Sequence, residues 1–182
     1  MKVLSVKSKL YFAGIFSILF LLFYLVILPH YDVSNLKISV YSLDIRSSYT
    51  HEYVRWLFNT IGNKGLQQYK YFLIADLGYI ATYVVLSYLI LSLLITQMGK
   101  LGQMLHLTVY TPLLLMFTDI IENLNTFLLI YNADKFSVGF VRFASVITTT
   151  KWFFASILVG MIICYAFYAV LRFIFWKLRK KN

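Results

Sequence analysis

The stretch "LTVYTPLLLMFTDIIENLNTFLLIY", residues 107–131, decides how the chain is read. It is apolar enough and long enough to cross a bilayer, whose hydrocarbon core takes roughly 20 residues of helix. Yet Asp119, Glu122, Asn123 and Asn125 stand in the middle of it. A charged side chain at the centre of a span costs about 2.5–3.5 kcal/mol on insertion scales. Residues so placed need partners inside the protein, and the rest of the sequence is read for those partners.

The 182 residues are 60% hydrophobic and 13% charged, against roughly 25% charged in an average soluble domain. The composition predicts an all-α, polytopic four-helix transmembrane bundle forming a single membrane domain. It leaves no room for a separate soluble catalytic domain. The net charge of +10 does not point to nucleic acid, and no nucleic-acid partner is expected. Much of it sits at the chain ends, on Lys2, Lys7 and Lys9 and on Lys177, Arg179, Lys180 and Lys181. Basic residues flanking spans mark the cytoplasmic side and bind anionic lipid head groups. Membrane lipids are thus the expected partners, with a homo-oligomer or another membrane protein as further options. The single cysteine, Cys164, excludes an internal disulfide and is expected to be a small core residue.

Four spans are predicted, at about 10–28, 71–96, 105–131 and 141–176. The first is read as an uncleaved helix ending at Pro29, since no small-residue cleavage site follows it. The last is too long for one bilayer, so it tilts or projects. An even number of spans puts both termini on one side, and the short loop 97–103 shares that side and carries Lys100. The topology predicted is multi-pass with both termini cytoplasmic. The outer loop, 30–70, holds "THEYVRWLFNTIG" (50–62), in which Val54, Leu57, Phe58 and Ile61 recur at helical spacing. Thr50 is its cap, Glu52 suits its first turn, and Gly62 stops it. This short amphipathic helix is expected to pack on the bundle or lie on the membrane surface.

Three spans carry ionisable groups that a lipid-facing helix excludes: Asp76 in the second, Asp119 and Glu122 in the third, and Lys151 in the fourth. At about 1.5 Å per residue, Asp76 lies about 8 Å from the outer end of its predicted span, Glu122 and Asn123 about 12–14 Å, Lys151 about 15 Å and Asp119 about 18 Å. The depths overlap. Asp119, Asn123 and Thr126 share one stripe with Glu122 beside it, and Tyr79 and Tyr83 follow Asp76 on its face. Thr148 lies one turn before Lys151. Three carboxylates against one lysine require a proton, a cation, water or another partner. Arg142 lies near the surface and is a candidate only if it reaches inward. Pro112, the one proline in the third span, is expected to bend it.

The sequence resembles a family of uncharacterised four-span bacterial integral membrane proteins with a D-x-x-E-N motif in the third span. The resemblance covers about residues 40–155 and rests on Asp44, Tyr49, Thr50, Gly62, Gly65, Tyr69, Asp76, Asp119, Glu122, Asn123, Thr149 and Lys151. Leu66 stands where that family often has an arginine. The resemblance implies a bacterial plasma membrane location and directs attention to these residues. It implies no reaction.

Three functions follow from the cluster. It is a polar core or binding site in an accessory or structural protein. Alternatively it is the active site of an outward-facing enzyme acting on a lipid or lipid-linked substrate. Asp76, Asp119, Glu122, Asn123 and Lys151 would then be the catalytic candidates, and Asp76, Asp119 and Glu122 the ligands of a divalent cation. As a third option it binds protons or cations in an oligomeric transporter. No nucleophile motif, zinc motif or phosphate loop is present.

Overall fold

The structure, a computed structural model, describes residues 5–33 and 41–179. Lys2, Lys180, Lys181 and residues 34–40 of the outer loop lie outside the described residues. The described chain is helical, with four helices long and apolar enough to cross a membrane and no strand among them.

Helix α1 (Val6–Tyr31) runs past Pro29 instead of ending there. A π-helical turn at Phe23–Ile27 precedes the proline. Widening the turn frees a carbonyl that the proline ring would otherwise strike, so the helix continues for one more turn. The next helical stretch, His51–Gln97, holds one break, at Gly62 (φ 61°, ψ −173°). We treat its limbs as α2 (51–61) and α3 (63–97). The Thr50 side chain accepts from the Tyr53 amide and caps α2, as predicted. Gly62 stops α2, but α3 resumes at once, so the helix that carries the second span begins well before Tyr71.

A short α4 (Lys100–Met104) and a 3-10 turn (His106–Tyr110) lead into α5 (Thr111–Tyr131). Pro112 occupies the first turn of α5, where its missing amide is harmless, and it does not bend the span. Helix α6 (Val138–Arg179) has 42 residues, longer than one bilayer needs. Cys164 lies exposed on α6, not in the core as expected, because that part of α6 turns its side chains outward.

The bundle has two apolar cores. Near the termini, Ile80, Val84 and Leu91 of α3 meet Leu115 of α5 and Leu158 of α6. At the opposite, distal end the apolar face of α2 (Val54, Leu57, Phe58, Ile61) packs on Tyr69 and Leu73 of α3, Leu129 of α5 and Val141 of α6. Helix α2 is therefore a cap on the bundle end. Burying four such side chains at about 1.5–3 kcal/mol each offsets the cost of ordering it. Leu66, at the position where the resemblance has arginine, packs against this distal core. Between the two cores, all three helices turn polar: at Asp76 in α3, at 119–126 in α5 and at 145–151 in α6.

Candidate functional site: a polar layer beneath a cavity

The polar layer is built by hydrogen bonds between helices. Lys151 of α6 pairs with Glu122 of α5 and lies 3.5 Å from Asp119 Oδ1. Glu122 is fully buried, and its Oε1 accepts from the Thr148 hydroxyl over 2.7 Å. Asp119 Oδ2 accepts from the Tyr83 hydroxyl over 2.9 Å. Asn123 Nδ2 donates to Asp76 Oδ2 over 2.7 Å. Each carboxylate predicted for the cluster thus has a partner on another helix. Tyr83 goes across to Asp119 of α5 and not to Asp76 of its own helix. Arg142 stays exposed and takes no part.

A loop completes the layer. Residues 41–49 lie along α6, because Ser145, Thr149 and Trp152 recur at i, i+4 and i+7 and bond it in succession. Tyr49 N donates to Ser145 Oγ over 3.0 Å, Thr149 Oγ1 donates to Ser47 O over 2.8 Å, and Trp152 Nε1 donates to Asp44 O over 3.2 Å. Lys151 Nζ donates to the same Asp44 carbonyl over 3.3 Å. The 3-10 turn Leu43–Ile45 turns Asp44 so that its Oδ1 accepts from the Tyr69 hydroxyl over 3.1 Å. Burial pushes the Asp44 carboxyl above its usual range, and the Lys151 charge opposes that shift. Burial likewise pushes the Tyr49 hydroxyl up to about 12.

Asp44, Tyr49, Tyr69 and Thr149 were marked only by the resemblance, not by their depth in a span. All four belong to this layer. Nothing in local patterning would place Asp44 here, as its position depends on a loop folding back over a helix. Asn125 and Thr126 are buried on α5, and among the described residues neither Asn125 Nδ2 nor Thr126 Oγ1 has a hydrogen-bond partner. Thr126 therefore shares the predicted stripe but not its hydrogen bonds. The histidines stand apart. His51 packs edge-on against Phe136, and His106 Nδ1 meets the Gln103 carbonyl at 2.8 Å.

Above the layer is a cavity of about 600 Å³. Asp44, Asp76, Asp119 and Lys151 form its polar side, and Asp32 lines it as well. Tyr24, Leu25, Leu28 and Pro29 of α1 and Trp152 of α6 form its apolar walls. The lip is open, as Tyr24, Leu25 and Trp152 are 56%, 62% and 41% exposed. Helix α1 packs on α3, whereas α6 packs on α5 and α3, so the opening lies between the first and last spans. The π turn of α1 lies at this wall. The Phe23 ring packs so closely over Gly78 that a Cβ there would sit 2.5 Å from it. Gly78 lets α1 approach α3 at the edge of the cavity.

Among the described residues, no three His, Cys, Asp or Glu side chains are grouped to hold a metal ion. Asp119 and Glu122 converge on the Lys151 ammonium, whereas Asp76 accepts from Asn123. Comparison with family models, with curated proteins and with solved structures gave no match.

Proposed function

We propose that this is an accessory integral membrane protein whose polar layer locks the helices and forms the floor of a binding cavity for an amphiphile. The single observation carrying this reading is the cavity of about 600 Å³, with convergent charged groups on one side and aliphatic and aromatic walls on the other. That mixture suits a ligand with a polar head and an apolar tail. The opening between α1 and α6 gives access from the side, where a lipid would stand.

Depth supports the same reading. Asp76 lies about 30 Å along α3 from Gln97, close to the thickness of a hydrocarbon core. Lys9 bonds Ser92, and Arg172 bonds the Gln97 carbonyl, so the basic end of the bundle lies at that end of α3. With the basic end at the cytoplasmic surface, the cavity meets the head groups of the outer leaflet. Tyr24 and Trp152 at its lip suit an interfacial aromatic belt. The resemblance to bacterial four-span proteins is compatible with a plasma membrane location.

The test is retention of amphiphile by the purified protein. Native mass spectrometry in mild detergent is expected to show one retained lipid-sized adduct. Leu25→Trp, which narrows the mouth of the cavity and replaces no carboxylate, is expected to lose it while keeping its melting temperature. An adduct of equal occupancy on wild type and Leu25→Trp places the ligand elsewhere and ends this reading.

A further inference from the structure

We infer that the head group taken by this cavity is a cation, an amine or quaternary ammonium carried on an alkyl chain. The inference rests on the reading of the cavity as an amphiphile site and adds the chemistry of the head.

Charge decides the sign. Leaving Asp32 aside, Asp44, Asp76 and Asp119 line the cavity against the ammonium of Lys151 among the described residues. That ammonium is already engaged, with Glu122 and Asp119 in the layer below. Among the described residues the side-chain donors to Asp44 and Asp76 are neutral, the Tyr69 hydroxyl and the Asn123 amide among them. Among the described residues no ammonium or guanidinium lies within 4 Å of either. The nearby bases are directed elsewhere. The Arg46 guanidinium stacks 4.1 Å from the Tyr53 ring centre, and the Lys70 ammonium lies 6.0 Å from that of Phe127. A carboxylate at the edge of an apolar recess is stabilised by an opposite charge brought to it. An anionic head would meet the same aspartates and be repelled.

The walls add to this. Tyr24, Tyr79 and Trp152 surround the space in front of Asp76 and Asp119. Aromatic faces and carboxylates together are the surroundings that hold quaternary ammonium groups. Leu25, Leu28 and Pro29 continue the apolar wall along α1, where an alkyl chain would leave towards the bilayer.

Calorimetry in maltoside micelles, with blanks lacking protein subtracted, tests the inference with four probes: hexyltrimethylammonium, tetramethylammonium, hexyl sulfate and hexyl glucoside. The expected result is that hexyltrimethylammonium binds about tenfold or more tightly than the other three. Asp76→Asn and Asp44→Asn are each expected to weaken it several-fold, and more than they weaken hexyl glucoside. Equal binding of hexyl glucoside and hexyltrimethylammonium would overturn the cationic head but leave the amphiphile cavity standing. Preference for hexyl sulfate would overturn it in favour of Lys151. Tetramethylammonium binding as tightly as its hexyl derivative overturns the alkyl chain, making the ligand a free cation. No binding of any probe removes both this inference and the cavity reading. Should an aspartate variant fail to fold, the comparison of probes on wild type decides alone. Leu25→Trp then locates the site, since loss of hexyltrimethylammonium binding is expected and unchanged binding refutes the placement.

Discussion

Glu122 is held from α6 by two residues one turn apart: Thr148 donates to Oε1 over 2.7 Å, and Lys151 pairs with Oε2. The glutamate is fully buried, and each of its oxygens faces a side chain of α6: Oε1 a hydrogen-bond donor, Oε2 an opposite charge. Residues three apart on a helix share a face, and this spacing lets one helix grip both sides of one carboxylate. The grip also sets the rotation and height of α6 against α5, which in turn places Trp152 and the cavity lip.

Removing half of this pair is expected to cost far more than removing all of it. Lys151→Met leaves Glu122 buried without its counter-charge, and breaking such a pair costs about 3–5 kcal/mol. The double variant Glu122→Met with Lys151→Met is expected to recover most of that loss, as apolar groups need no partner. Thermal unfolding of wild type, both single variants and the double variant in detergent measures the coupling. Losses that simply add would show that the two side chains do not depend on each other.

Gly62 gives a second prediction, and it concerns the backbone alone. Its φ of 61° and ψ of −173° lie where only glycine is comfortable. A Cβ there meets nothing within 4 Å, so space is no obstacle. Gly62→Ala and Gly62→Asn are both expected to cost about 1–3 kcal/mol, the asparagine included, since ψ falls outside the left-handed helical region it tolerates. Melting temperatures of the two variants check this. A neutral Gly62→Ala would mean that the α2–α3 junction relaxes freely.

These positions show how the sequence carries the fold. The helix periods, the Thr50 cap and the Gly62 stop are local signals, and each appears in the structure where local chemistry puts it. The acids in α3 and α5 and the lysine in α6 were legible because a charge in a span demands a partner, and three spans supplied them at overlapping depth. What local reading misplaced were the edges. Pro29 and Pro112 looked like a stop and a kink, but a π turn and a first-turn position absorb them. The role of Asp44 was not legible locally, because it depends on contacts with Tyr69 and Lys151, 25 and 107 residues away. A loop docked on a helix through Ser145, Thr149 and Trp152 leaves no periodic trace in its own sequence.

The third prediction follows from Asp44. Burial raises its carboxyl pKa in the folded protein above the ordinary 3.8. An acid raised on folding contributes its stability below its ordinary pKa and loses it as pH rises through the folded value. Near pH 4 and below, the protonated side chain costs little to bury; towards neutrality its charge opposes the fold. Asp44→Asn carries no charge at any pH and keeps an oxygen to accept from Tyr69. The variant is therefore expected to match wild type at low pH and to exceed it at neutral pH, with the difference growing as pH rises. Melting curves of both proteins across the acid-to-neutral range, without added amphiphile, measure it. A difference that stays constant with pH would show that Asp44 is as easily ionised in the fold as in water.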